Sequence, residues 1–409
     1  MSAQHATPEP PYAWVMLATG TTLIALNLGA LSSLPVFLKP ISTEFGWARG
    51  ATALAYTAAA LAIGVGGVMW GRLADRFGTR RIVLIGAVTQ PLAFYLLSHV
   101  TSLPRFYLLY ILLGGLGFAA INVPIIANVG LWFSHRKGLA LGILSSGGPL
   151  GQALIASVAA SVVVAFGWRT AYLTLAAVYA VVSVPLALLV RTPPILAASA
   201  RDTTAIDRGD YPLAAPLVVA WMSAAALFCC TTMSIPIVHT VAMLTDRGIP
   251  YPTAVRVFFV IMASGVLGRV MLGRLTDYLG GLRSYLLASI LQTTLVFWFM
   301  RVESMPVLYA LSALFGLGFS GVMTSIWVTL RELVPPRVAA TSLATVVMFA
   351  WMGMGFGGWY GGHVFDVTGG YTHSYAHAVV SGVINVTIVA ALVRHVGRAR
   401  AALVAHSAA

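Results

Sequence analysis

Residues 71–78 read Gly-Arg-Leu-Ala-Asp-Arg-Phe-Gly, and residues 273–280 read Gly-Arg-Leu-Thr-Asp-Tyr-Leu-Gly. The two octapeptides start 202 positions apart, and each closes a long apolar run. A second pair follows: Gly115-Leu116-Gly117-Phe118 recurs as Gly316-Leu317-Gly318-Phe319, 201 positions apart. Two matches at nearly one offset, in equivalent places, mark a chain built from two diverged copies of one unit. In membrane proteins, such repeats belong to secondary transporters whose halves rock about a central site.

The surroundings agree. Of 409 residues, 59% are hydrophobic and only 9% charged, against about a quarter charged in soluble domains. A spanning helix needs about 20 mainly apolar residues, and twelve stretches qualify: 13–37, 52–70, 82–99, 104–130, 138–165, 170–190, 213–240, 253–272, 284–300, 304–330, 338–362 and 375–394. Long unbroken runs, rather than ten-residue alternation, select helices over a barrel. The expected fold is therefore an all-α polytopic membrane protein with two six-helix bundles. Its parts are a tail (1–12), a first bundle (13–190), a linker (191–212), a second bundle (213–394) and a second tail (395–409). The first eleven residues hold no Lys or Arg, unlike a signal peptide.

The net charge of +13 might suggest nucleic acid, but its distribution follows membrane topology instead. With the N-terminus inside, sixteen of the 24 Lys and Arg fall on the cytoplasmic side and seven on the other, leaving Arg269 within a helix. This bias places both termini in the cytoplasm, and the basic loops meet anionic lipid. Cys229 and Cys230 are adjacent in helix 7 and read as small packing residues. No spacing of His, Cys, Asp and Glu suggests a metal or cofactor, and no nucleophile constellation suggests an enzyme.

The loop GRLADRFGTRR (71–81) resembles the signature between helices 2 and 3 of the major facilitator superfamily, and the second copy is a weaker version. The resemblance extends over the whole chain in helix count, linker and loops. It implies that Gly71, Asp75, Arg76 and Arg80, with Gly273 and Asp277 in the second copy, gate the cytoplasmic side. Residues 132–142, WFSHRKGLALG, with Gly147, Gly148 and Gly151 beyond, are similar to the start of helix 5 in the monocarboxylate transporter branch, which includes the oxalate–formate antiporters. Glu44-Phe45-Gly46-Trp47 and Gly167-Trp168-Arg169 are similar to bacterial members.

Within that branch, an arginine four residues before the helix 8 glycine binds the substrate carboxylate, and here it is Arg269 in VLGRVMLGRLTD (266–277). Guanidinium is permanently charged and can hold a carboxylate bidentately, and an ionisable group inside a span is a functional candidate by default. The competing reading puts Arg269 only about 6 Å from the loop, snorkelling to the interface. The sequence also departs from the branch. Gly265 stands where proton-coupled relatives have aspartate, Ser32 aligns with their helix 1 lysine, helix 11 has no lysine, and Tyr12-Ala13-Trp14 is a reduced N-terminal signature. All eleven Asp and Glu lie in loops, tails or helix ends, which weakens any mechanism that needs a buried acid.

Asn27, Asn122, Gln152 and Trp351 are the remaining substrate-site candidates, with interhelical hydrogen bonding or packing as the alternative for each. Asn385 is a further mid-membrane amide, and His239 and His363 sit near outer helix ends. The expectation is a transporter of a small organic anion, mono- or dicarboxylate, in the inner membrane. It would work as antiporter or proton symporter, with a counter-anion or proton and lipids as its other partners, and function as a monomer. Efflux of a drug or neutral metabolite on the same fold is the alternative. A membrane sensor or enzyme is the remote one.

Overall fold

Proline in the first turn and glycine past the last turn set most helix boundaries. Six helices start with Pro at their first or second position, where the missing N–H costs nothing. The computed structural model describes residues 10–133, 137–193 and 211–408; most of the 191–212 linker and the first nine residues lie outside them. The helices are α1 (Pro11–Leu31), α2 (Ser33–Phe45), α3 (Arg49–Phe77), α4 (Thr79–Ser98), α5 (Leu103–Ile111), a π-helical segment (Leu112–Phe118), α6 (Ala119–Trp132) and α7 (Lys137–Leu189). The second half holds α8 (Ala215–Asp246), α9 (Tyr251–Leu279), α10 (Gly281–Trp298), α11 (Met305–Leu333), α12 (Pro336–Thr368) and α13 (Thr372–Ala408).

Among the described residues, ten helical segments are long and apolar enough to cross a membrane. One of them is α7, which breaks at Gly167 and so crosses twice, and the 18-residue α10 supplies the ninth crossing. The total is twelve. Phe166 and Val181 are 72% and 73% exposed, as side chains facing lipid should be. The helix α13 runs on through residues 395–408, the stretch read from sequence as a tail.

The repeat is deeper than the two sequence motifs. All six positive-φ glycines among the described residues pair at an offset of 202: Gly46 with Gly248, Gly78 with Gly280, and Gly167 with Gly369. The helices carrying Gly151 and Gly353 press onto the backbone at Ala25 and Leu227 respectively, again 202 apart. Buried Gln90 donates to Asn27 Oδ1 at 2.6 Å, and Gln292 donates to the Cys229 backbone carbonyl at 3.1 Å. The same pair of positions is thus joined at the same offset, through a side-chain acceptor in one half and a backbone acceptor in the other.

The one-residue discrepancy has a structural cause. Ser102 and Ser304, both N-caps, are 202 apart, yet Gly115 and Gly316 are 201 apart. The first half thus carries one extra residue, read as Leu-Leu-Gly-Gly-Leu-Gly-Phe against Leu-Phe-Gly-Leu-Gly-Phe. It is absorbed as the π-segment, the usual helical answer to a one-residue insertion. There the Ala119 N–H bonds to Gly114 rather than Gly115. The freed Gly115 carbonyl accepts from the Trp70 indole at 2.7 Å. The second half has neither the insertion nor the donor; Leu272 replaces Trp70.

The halves meet along α3 with α12, α7 with α9, and α2 with α8. They are tied at the end away from the chain termini. There Asp246 is held by Lys39 at 2.8 Å and by Arg49, whose Nη2 donates at 2.9 Å. Asp366 caps the start of α3, accepting from the Arg49 and Gly50 N–H groups at 2.8 and 2.6 Å. Gly50 and Gly362 permit that approach: a Cβ on Gly50 would lie 2.9 Å from His363 backbone. A Cβ on Gly71 would meet only Val123, and one on Gly273 only Thr324, each within its own half.

Candidate functional site

Between the halves lies a cavity of about 180 Å³ lined by both. The first half contributes the polar groups Asn122, Ser145 and Gln152 beside Pro149 and Phe118. The second contributes Arg269 and Ser320 with an apolar and aromatic wall of Met323, Trp327, Trp351 and Met354. Several of these are repeat partners of opposite character: Gln152 faces the counterpart position Met354, Asn122 answers Met323, and Pro149 answers Trp351. Arg269 itself corresponds to Gly67. Phe118 and Trp351 meet edge-to-face across the interface, ring centroids 5.4 Å apart.

Arg269 stands deeper than its spacing suggested. The motif Gly273–Leu279 is not a loop but the last two turns of α9, so Arg269 lies ten residues before the helix end, about 15 Å at the helical rise. Its Nε donates to Ser320 Oγ at 3.1 Å on α11, and its Nη1 donates to the Ser145 carbonyl on α7. The second bond crosses the interface. Gly148 packs tightly under Leu28 and lies in ordinary contact with the guanidinium, Nη1 being 3.5 Å from where its Cβ would stand. Gly265 lets α9 pack closely on α11, its Cβ position being 3.1 Å from Ser320 Oγ, and leaves Pro149 of α7 in ordinary contact at 3.4 Å. Three ion pairs exist among the described residues, and none involves Arg269. Among the described residues that line the cavity, its charge faces neutral groups only.

The other candidates divide. Asn122, Gln152 and Trp351 line the cavity with Arg269. Asn27 does not: fully buried, it accepts from Gln90 and donates to the Phe118 carbonyl at 3.1 Å, bracing the segment that carries Phe118. Asn385 likewise accepts from Tyr285 at 3.1 Å inside the second bundle. Buried His239 bonds the Gly358 carbonyl at 2.7 Å, and His363 stacks on Trp359. Cys229 and Cys230 are buried and free. Arg76 and Arg80 are at the terminal end with Gly71 and Gly273 nearby in their own halves. The side chains of Asp75 and Asp277, and residues 134–136 of the helix 5 motif, lie outside the described residues.

Sequence reasoning passed over Trp327, whose buried indole N–H has no partner in the cavity wall. It also passed over the pair Ser145 and Pro149. Both lie in the glycine-rich stretch already singled out, but nothing in one dimension pairs them with Arg269.

The model of the family described as Major Facilitator Superfamily matches residues 18–358. The chain belongs to that superfamily. As a Major Facilitator chain it is a multi-pass membrane transporter and not an enzyme. Among curated relatives, it is similar to an uncharacterized MFS-type transporter, YcxA, of Bacillus subtilis, 26% identical over 91% of this chain and 93% of the relative. Bovine monocarboxylate transporter 13 is 28% identical over 92% of this chain and 88% of that protein. Human monocarboxylate transporter 11 is 30% identical over 42% of this chain and 36% of that protein. Among solved structures, an inward-facing, unoccupied bacterial homolog of the human lysosomal transporter Spinster superposes with a TM-score of 0.72, covering 96% of this chain and 98% of that one. At 15% identity it speaks for the Major Facilitator fold alone.

Proposed function

We propose that this transporter moves a small organic anion, in the first instance a monocarboxylate, across the bacterial inner membrane by alternating access. The observation that carries this reading is Arg269: a cation open to the central cavity, with no carboxylate partner among the described residues. A lone guanidinium is costly at membrane depth, and a carboxylate substrate supplies its complement in bidentate form. One cation matches one negative charge; the second carboxylate of a dicarboxylate would meet the Met and Trp wall. The bovine and human relatives bear the name monocarboxylate transporter, which supports the class.

The basic bias of the loops supports termini in the cytoplasm, which makes the far-end contacts an outer closure and the cavity inward-facing. In the opposite state, Gly71, Asp75, Arg76, Arg80, Gly273 and Asp277 would come together as the cytoplasmic seal. Asn122, Gln152 and Trp351 would fix the substrate's orientation beside Arg269.

The test is uptake of labelled lactate, benzoate and succinate into proteoliposomes, with and without internal counter-anion and with and without a pH gradient. Trans-stimulation by internal anion indicates exchange, and stimulation by external acid indicates proton symport. Unchanged affinity and rate for an anion in Arg269→Ala would overturn the role given to Arg269, whereas no uptake of any of the three by the wild type would remove the anion reading and leave neutral-substrate efflux.

A further inference from the structure

A carbonyl inside a helix normally accepts from the N–H four residues on. For Ser145 that residue is Pro149, which has no N–H. The Ser145 carbonyl is therefore left open by its own helix, at a depth where an unpaired backbone group is costly. Its partner comes from the other half of the molecule: Nη1 of Arg269. No other hydrogen bond among the described residues joins the halves nearer the terminal end. The other crossings lie at the far end or, as with Thr57 and the Gly355 carbonyl at 2.6 Å, between that end and the cavity.

We propose that the proline-freed Ser145 carbonyl is an internal stand-in for substrate: Arg269 holds it when the cavity is empty and exchanges it for the anion on binding. This rests on the reading of Arg269 as the anion site, and adds that substrate entry and release of an inter-half bond are one event. Pro149 is then a positioning residue, acting through the carbonyl it exposes. The local geometry serves that exchange. Arg269 Nη1 lies 3.5 Å from the Cβ position of Gly148 on α7, and Pro149 lies 3.4 Å from that of Gly265 on α9, so the guanidinium and the proline turn are in contact. The Ser320 hydroxyl holds Nε on Arg269's own half while Nη1 changes partner. The latch also gives the empty carrier a reason to resist reorientation that the loaded carrier lacks, because the bond joins α7 of one half to α9 of the other.

The test is a double-mutant cycle on the full-length protein in detergent, combining Pro149→Ala with Arg269→Ala and reading Tm without ligand. The Pro149→Ala substitution restores the N–H, so the Ser145 carbonyl gains a partner in its own helix. The Tm loss caused by Arg269→Ala is then smaller in the Pro149→Ala background than in the wild type. Equal losses overturn the latch. Pro149→Gly, which restores the same N–H, serves if the alanine variant does not fold.

The second readout is the half-saturation concentration for Tm shift by lactate and benzoate in the Arg269-containing proteins. It falls roughly five-fold in Pro149→Ala, the ratio matching one net hydrogen bond; an unchanged or higher value counts against the proposal. If neither anion shifts wild-type Tm while the two losses still differ, the latch stands and the monocarboxylate reading falls. If the anions bind and the losses are equal, the reverse holds.

Discussion

The fourth and tenth membrane crossings started as the same helix and now do different things. The tenth, α11, runs from Met305 to Leu333 as continuous α-helix. The fourth carries one more glycine, widens into a π-turn at Leu112–Phe118, and needs the Trp70 indole to fill the carbonyl this opens. The widened turn ends on Phe118, which lines the cavity and meets Trp351 of the other half. Where the halves still agree, as at Gly151 and Gly353, the shared residues hold the bundles together. Where they differ, as at Gly67 and Arg269 or Gln152 and Met354, the difference lines the cavity. Symmetry marks architecture and its breaking marks function.

The largest expected effect tests the agreement. Gly151→Val and Gly353→Val each drive a side chain into neighbouring backbone, at Ala25 and Leu227. Both lose about 3 kcal/mol or more, read as parallel falls in Tm and folded yield. A large loss in one half only would break the symmetry argument.

Next comes the π-turn. Trp70→Leu, which gives the first half the second half's residue, leaves the Gly115 carbonyl unpaired and costs about 2 kcal/mol. Deleting Gly114 in that background returns the segment to the tenth crossing's pattern and recovers part of the loss. A deletion that only adds to the damage would show that the extra glycine is not what Trp70 serves.

Smaller effects are expected at the ends. Asp246→Asn removes the shared partner of Lys39 and Arg49 across the halves, and shifts the equilibrium toward the state open at the far end by about 1 kcal/mol. Cysteine labelling at Tyr251, whose hydroxyl bonds the Val36 carbonyl across that end, reads it as a several-fold faster rate for Tyr251→Cys. Glu44→Gln breaks an ion pair to Arg169 that lies within one half, with side chains 42% and 44% exposed. It costs under about 1 kcal/mol and leaves that labelling rate unchanged, since it ties no half to the other.

Much of this was legible in one dimension because a membrane imposes long apolar runs and a repeat leaves its offset in the numbering. The twelve crossings and the two GR-L-x-D motifs needed nothing more. What failed was depth and direction. Gly273–Leu279 is rich in polar residues and reads as loop, yet it continues α9, so Arg269 lies deeper than counted. Asn27 and Asn122 are equally polar and equally mid-span, but only the packing of α1 turns Asn27 into the bundle and away from the cavity. The π-turn was hidden because Leu-Leu-Gly-Gly-Leu-Gly-Phe is apolar under either winding; only the drop from 202 to 201 betrayed it. Arg269 with Ser145 could not be read at all, since 124 residues separate them.

The most direct test of the account is monocarboxylate binding and uptake by Arg269→Ala and Arg269→Lys in proteoliposomes. The account predicts that Ala weakens lactate or benzoate binding by roughly ten- to hundred-fold, the worth of a charged hydrogen-bonded pair. Lys, a point charge without the bidentate fork, recovers only part of it. Wild-type affinity in the Ala variant, for an anion the wild type transports, would contradict it.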